Sequence, residues 1–488
     1  MGLLVGDLLS DAAAVAPQGL AATLEGRSVR YSELDGWASS YAANLARLGI
    51  SSGQRVAWWC GPDLRSLAGF AAAARIGAVF VPLNPAFGAG EAARVLDYVR
   101  PSLVVADEER RGSAQELGVP VAGLDDLAAD SGGWSGAGPG DGDPHVVYLT
   151  SGTTGDPKGV VVSHRASWLR AFPGGSTFAA GLAGDGGILA SFPLFHYGGW
   201  HYVLEAWHHR CAVHLCRRFD GPTLVETAER WRPAAMYCIP AVWQRVLEQS
   251  PRGEGLESVR HADTGTSAAP PELLRRLREA MPEATTSVLY GSSEGGHHST
   301  LHHRDVESRP GSVGRVAPPG VIRLSEEGEI LYRGPTLMDG YFERAEETAA
   351  ALAGGWYHTG DLGVLDPDGY LYVTGRAREV IRTGGESVAP TEVEQALAGA
   401  HGVADVAVVG VPDEAWGEVV CAVVVAAPGS SPPDVSSLRR HLDGRLAPYK
   451  HPRLVVAVER IPRTEATGQV QRRLLVETLG TQRARTGG

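Results

Sequence analysis

Apolar residues along the first hundred positions recur with two alternating periods. Leu34, Trp37, Tyr41, Leu45 and Leu48 share one face of a helix, with Ser32 as its expected cap. Arg55–Trp59 reads as a short strand, followed by an Ala-rich helix, a strand over 78–83, a helix over 90–100 and a strand over Leu103–Ala106. Strand and helix taking turns predict a parallel sheet covered on both faces, hence an α/β fold. Residues 131–144 (SGGWSGAGPGDGDP) read as a flexible linker, after which an apolar strand at 145–149 and an apolar run at 160–162 bracket a polar loop. Near Arg376 the pattern changes. A helix over 391–398, strands over 403–409 and 419–425, a further helix and strand, and a last helix from Val470 describe a small α+β unit able to fold by itself. The expectation is a large N-terminal domain of mixed and parallel sheets flanked by helices, residues 1–375, and a small α+β C-terminal domain, residues 376–488.

Composition narrows the function. A chain of 488 residues with 43% hydrophobic and 20% charged positions has apolar material for more than one core. Its formal net charge of -12 argues against a nucleic-acid partner, since no basic excess is available to release phosphate counterions. The N-terminal MGLLVGDLLSD lacks a basic start, and the longest apolar run, 67–83, is broken by Arg75 and Gly77, so neither a secretory segment nor a membrane span is expected. Five scattered cysteines fit a reducing cytoplasm. Only Lys158 and Lys450 are lysines among the 44 basic residues, a bias of GC-rich coding such as actinobacterial genomes show.

The most informative segment is 148–160, YLTSGTTGDPKGV. Glycines let backbone approach a phosphate chain, while hydroxyls, amides and Lys158 meet its charge. Lys158 is followed by Gly159 and valines, so the loop is not the Gly-Lys-Ser/Thr pattern that opens a helix. Further on come YGSSE at 290–294, YHTGDLG at 357–363 and GRAREVIRTGGESVAP at 375–390, with RIGAVFVPLNP near 80 and GEILYRGPTLMDGY near 335. This ordered set resembles the adenylate-forming (ANL) superfamily, in its acyl-CoA synthetase branch, over almost the whole chain.

The resemblance implies roles residue by residue. Thr150, Ser151, Gly152, Thr153, Thr154 and Lys158 would hold the pyrophosphate part of ATP. Tyr290 would stack on adenine, with Gly265, Thr266 and Ser267 on its other face, and Gly291 and Ser292 complete that turn. Ser293 would contact the α-phosphate, Glu294 would bind Mg²⁺, and Asp361 and Arg376 would take the ribose hydroxyls. Arg378 matches the hinge about which the C-terminal domain swings, bringing Gly384 and Gly385 to a narrow tunnel for the pantetheine thiol of coenzyme A. His196 matches a gate for acid entry or CoA arrival, with a satisfied core histidine as the alternative. Trp200, Gly295 and Gly296 are expected to shape the acyl pocket, the two glycines leaving room for a bulky acid. His208, His209, Cys211, His214 and Cys216 look metal-like in sequence, but the two cysteines fall on opposite faces of an expected strand, and His297, His298, His302 and His303 read as loop histidines.

One position departs from the family. Relatives carry a lysine in P-x-T-x-x-G-K before the last helix, and it aligns the carboxylate with the α-phosphate. Here residues 462–469 read PRTEATGQ, with one extra residue before the glycine and Gln469 at the lysine's place. Two anions must meet in adenylation, so losing a fixed cation should cost about 3 to 5 kcal/mol, roughly two to four decades in rate. Drift in an arginine-biased genome should yield Arg rather than Gln. Arg472 and Arg473 lie one turn along, though arginine's broad fork replaces a compact ammonium poorly. Thiol attack on an acyl adenylate does not use the lysine. The expectation is an enzyme of specialised, natural-product metabolism that makes acyl-CoA from acyl adenylate and CoA, with a separate adenylating enzyme as partner. The alternatives are a complete ATP-dependent acyl-CoA synthetase, a non-catalytic nucleotide-binding relative, and acyl loading onto a carrier protein's phosphopantetheine.

Overall fold

The computed structural model describes residues 2–128, 134, 136–151, 157–172, 186–383, 386–413, 416–464 and 468–486. The chain forms two compact units, 1–322 with 332–357, and 323–331 with 358–488.

Short strands rich in Val and Ala build two sheets in the first unit. One places Arg55–Trp59 between Val79–Pro82 and Leu103–Ala106, all parallel, with Val121–Gly123 beyond. Pro144–Ser151 extends it beside Val79–Pro82, and Pro157–Ser163 returns antiparallel, so Thr150 lies opposite Lys158. The other sheet has nine strands; at its centre Leu20–Leu24, Val213–Leu215, Ile188–Ala190, Ala235–Tyr237, His261–Gly265 and Val288–Ser292 run parallel. The Ala-rich helix Arg65–Ile76 is buried almost throughout. It approaches the first sheet so closely that a Cβ on Gly69 would stand 2.1 Å from the Trp58 ring. Phe70 of that helix stacks on Trp200 at 4.0 Å between centroids.

In the second unit, Tyr357–Leu365 and Leu371–Arg376 form an antiparallel pair within a four-stranded sheet. A five-stranded sheet is centred on Gly417–Ala426, antiparallel to Val403–Asp413 and parallel to Leu454–Ala457. Both faces of that pair are apolar: Val408, Val420, Ala422 and Val424 pack against Val393, Leu397, Leu438 and Leu442, while Val409, Val419, Cys421 and Val423 pack against Leu475 and Leu479.

Several expectations change. Ser32 lies inside the first turn of Tyr31–Arg47; the N-cap is Arg30, whose amide donates to the Glu33 carboxylate reaching back at 2.9 Å. The organisational break expected at 375–378 falls within the second unit, because strands Tyr357–Leu365 and Leu371–Arg376 belong together there. His297 and His298 sit on strand Gly296–Leu301 rather than in a loop. No helix among the described residues is long and apolar enough to cross a membrane.

Candidate functional site

Lys158 is near the start of strand Pro157–Ser163, and Thr150 Oγ1 donates to its carbonyl at 3.3 Å. Its ammonium pairs with Glu347 and stands 5.1 Å from the centre of the Tyr341 ring. The Tyr341 hydroxyl donates to Glu294 Oε1 at 3.0 Å. Tyr341 therefore lies between the cation expected to meet phosphate and the carboxylate expected to meet metal. Gly152, Thr153 and Thr154 fall outside the described residues, as do the Ser151 side chain and both Gly384 and Gly385.

Two parallel strands deliver the adenine-side residues. His261–Gly265 ends at a glycine whose Cβ would stand 2.0 Å from the Leu289 carbonyl oxygen, so no larger residue fits. Thr266 follows with φ of +69°, strained for a β-branched residue, and its hydroxyl shares a 3.1 Å hydrogen bond with Tyr237. Strained non-glycine backbone in a turn expected to face adenine is a mark of a site, and only the structure reveals it. Ser267 is half-buried beside it. Tyr290, half-buried on Val288–Ser292, meets His298 edge-on at 5.3 Å. The expected turn placement of this motif is corrected: Tyr290, Gly291 and Ser292 are strand residues, and only Ser293 to Gly295 make the turn into Gly296–Leu301. A Cβ on Gly291 would approach the Gly296 carbonyl to 2.2 Å, which keeps this hairpin tight, and Ser292 Oγ accepts from the Gly295 amide at 3.1 Å.

The residues expected on the acyl side are closely packed. His196 is the N-cap of helix Tyr197–His209; its Nδ1 accepts from the Gly198 amide at 3.2 Å, which puts the proton of the neutral ring on Nε2. Burial lowers its pKa to about 4, so the ring is uncharged at neutral pH. Trp200 is fully buried between Phe70 and Phe80, and it also lines a cavity with Trp58, Pro82, Leu83 and Pro193. Gly295 and Gly296 sit hard against neighbouring side chains. A Cβ on Gly295 would meet His298 Nε2 at 2.2 Å, and one on Gly296, at φ +75°, would meet Arg170 Cγ at 2.9 Å. Their room is already taken by this chain's own side chains.

Sequence reasoning missed Arg170. It ends helix His164–Arg170, is 6% exposed, and donates to three carbonyls: Thr336 at 2.8 Å, Ser293 at 2.9 Å and Glu294 at 2.9 Å. Nothing in HRASWLR marks that arginine as special, whereas GPTLMDGY, holding Thr336 and Tyr341, was at least part of a matched segment.

Magnesium suits this arrangement. It takes one or two protein carboxylates and leaves other positions to phosphate and water, and Glu294, oriented by Tyr341, is such a carboxylate. When bound it would neutralise phosphate charge. Elsewhere, His214 bonds Thr23 Oγ1 at 2.9 Å and the Gly186 carbonyl at 2.5 Å, and His208 bonds the Trp168 carbonyl at 3.2 Å. Among the described residues no three His, Cys, Asp or Glu side chains are placed to share a metal.

Four fully buried imidazoles in the first unit make its stability acid-sensitive. Burial, reinforced by His164 and Arg170, holds His145 well below the ordinary value of 6.5; burial brings His164 and His214 to about 4 and His298 to about 3. The unfolded chain would protonate all four below pH 6.5 while the folded chain does not, so stability present above 6.5 drains as pH falls toward 4. Asp263, raised to about 7 by burial, opposes this in part, as do Asp7 and Asp339, whose carboxyls burial also raises. Each net proton is worth about 1.4 kcal/mol per pH unit. Thermal midpoints should therefore fall steadily from pH 6.5 to pH 4, and a flat profile would contradict this account.

In the second unit, Asp361 and Arg376 are cross-strand partners, with Arg376 Nε 3.0 Å from Asp361 Oδ1. A carboxylate and a guanidinium side by side offer acceptor and donors to a vicinal diol. Both are strand residues. Arg378 is exposed in the 3-10 turn Ala377–Glu379. Gln469 is half-buried, and its backbone is tied to Thr464 in both directions: Thr464 N donates to Gln469 O at 2.9 Å, and Gln469 N to Thr464 Oγ1 at 3.1 Å.

Four cations of this unit are paired with its own carboxylates. Arg472 donates to Glu394 at 2.6 and 2.8 Å and to the Val408 carbonyl at 3.2 Å, and pairs with Glu379 at 3.1 Å. Arg473 pairs with Glu477 at 2.9 Å, Arg463 with Asp405 at 2.8 Å, and Lys450 with Glu392 at 2.6 Å.

The chain is similar to known proteins over most of its length. Residues 9–342 match the model of the AMP-binding enzyme family, and residues 392–467 match the AMP-binding enzyme C-terminal domain. The chain is 33% identical to an indoleacetate–CoA ligase of Aromatoleum aromaticum, covering 91% of this chain and 92% of that one. It is also 33% identical to a feruloyl-CoA synthase of Amycolatopsis, over 94% of this chain and 97% of the other. Among solved structures, ATP-bound MatB from Rhodopseudomonas palustris superposes with a TM-score of 0.89 at 27% identity over 98% of this chain and 99% of that one. The o-succinylbenzoate CoA synthetase of Bacillus subtilis with its acyl-adenylate intermediate gives 0.86 at 26%, over 96% and 97%. The chain thus belongs to the AMP-binding, adenylate-forming enzymes, in their acyl-CoA ligase family.

Proposed function

We propose that this acyl-CoA ligase relative works chiefly in the second half-reaction, converting acyl adenylate and CoA to acyl-CoA and AMP, with adenylation impaired. The observation that carries the reading is the neutral Gln469 together with the pairing of Arg463, Arg472, Arg473 and Lys450 to carboxylates of their own unit. Borrowing one of these cations would mean breaking an ion pair, and for Arg472 leaving Glu394 unpaired in a largely buried place. Sulfur attack needs no such cation. The thiolate sulfur bonds to the acyl carbon, the carbon–oxygen bond to phosphate breaks, and AMP departs with the electron pair while the thiol proton passes to solvent. A separate enzyme would supply the adenylate.

A complete ATP-dependent synthetase is the second reading, favoured by Lys158, Tyr341 and Glu294 standing together as triphosphate and metal would require. The test runs both inputs in parallel: ATP, free acid and CoA against synthetic acyl adenylate and CoA. A panel of acids and adenylates that includes the indoleacetyl and feruloyl groups named for its relatives is a reasonable start. Thioester is expected from the adenylates at least a hundredfold faster, on the order of the missing cation's share. Comparable turnover from ATP and free acid would establish the second reading instead.

A further inference from the structure

We infer that Arg170 and Thr336 form a clamp that holds the backbone of Ser293, Glu294 and Gly295 in the position the nucleotide phosphate requires, making both positioning residues for this reaction.

Every carbonyl of that turn is tied to the clamp. The Arg170 fork sends Nη1 to Ser293 O and Nη2 to Glu294 O, both at 2.9 Å, and Nε to Thr336 O at 2.8 Å. Thr336 Oγ1 donates to Gly295 O at 2.8 Å and accepts from the Tyr332 hydroxyl at 2.9 Å. The Met338 amide adds a 2.7 Å bond to Glu294 O. The loop 334–338 and helix His164–Arg170 therefore both bond to the turn and to each other. Tyr197 covers the guanidinium at 5.2 Å. Gly296 is needed for the same reason, since a Cβ there would strike the Arg170 stem.

A buried guanidinium spent on three carbonyls costs desolvation that a purely structural contact could avoid with apolar packing. What the fork supplies is planar geometry at three fixed directions, which a lysine cannot reproduce. A turn so held keeps its amides and the Ser293 side chain at a set distance from a ligand, where a drift of about 1 Å weakens binding severely.

The proposal rests on the reading that Ser293 contacts the α-phosphate, and the experiment separates the two. Affinities for AMP and for adenosine are measured by calorimetry on the full chain and on Arg170→Lys and Thr336→Val, with thermal midpoints alongside. The parent should prefer AMP. In R170K that preference should fall about tenfold and in T336V about threefold, with adenosine affinity unchanged. T336V removes a single hydroxyl and carries the test should R170K fail to fold. A preference that survives in the folded variants, whatever their melting temperature, overturns the clamp alone. A parent that binds AMP and adenosine alike removes the phosphate reading and the clamp with it.

Discussion

Gln469→Lys should raise ATP-dependent adenylation by about two to four decades, equivalent to about 3 to 5 kcal/mol of transition-state stabilisation. The backbone frame is ready for it. Both backbone groups of residue 469 are bound by Thr464, and Gly468 takes a positive φ of 66° and donates to the Thr464 carbonyl at 2.8 Å. None of these bonds involves the side chain at 469, so a lysine there inherits the same placement. Pyrophosphate release with ATP and free acid measures the gain, while thioester formation from synthetic adenylate should stay within about twofold, since sulfur attack does not use the cation. A parent that already releases pyrophosphate as fast as Q469K would defeat the proposed division of labour.

Arg472→Ala should destabilise the second unit by about 3 kcal/mol, because it strands a carboxylate in a largely buried place. Arg472 and Glu394 side chains are only 16% and 15% exposed, and Glu394 Oε1 also accepts from the Val408 amide at 2.7 Å. Burial raises the Glu394 pKa despite Arg472 beside it, so removing the guanidinium leaves desolvation unopposed. Denaturant unfolding of the full chain would measure the loss. Replacing both partners by methionine should recover most of it, as apolar packing of similar volume does for buried pairs. ATP-dependent adenylation in R472A should be no lower than in the parent under conditions where the variant stays folded. A selective fall would mean that Arg472 reaches the site after all.

These two expectations concern neighbouring positions with different legibility. The neutral Gln469, where the resemblance implies a lysine, could be read directly because the PRTEATGQ frame is contiguous. Whether Arg472 could stand in could not be read, because Glu394 is 78 positions away and Glu379 lies further still. The glycines at 295 and 296 misled for a similar reason. A missing side chain looks like room in a sequence, and only packing shows that His298 and Arg170 fill it. Trp200 shows the same limit, since its stacking on Phe70 at 4.0 Å joins positions 130 residues apart. Ser32 was taken as a cap from residue preference alone, and Glu33 satisfied the helix end instead.

The sequence by itself determined the α/β class, the order of the motifs and the chemical types at each, including the neutral Gln469 where the resemblance implies a cation. Such properties live in contiguous stretches and in short periods, which local backbone geometry reads directly. Tertiary structure alone decided which charges are already spent, which glycines are filled, and that Arg170 meets Thr336 across 166 positions to hold the Ser293–Gly295 turn. Those outcomes depend on which distant side chains compete for the same few ångströms, and burial makes each such contest an all-or-nothing matter of hydrogen-bond partners.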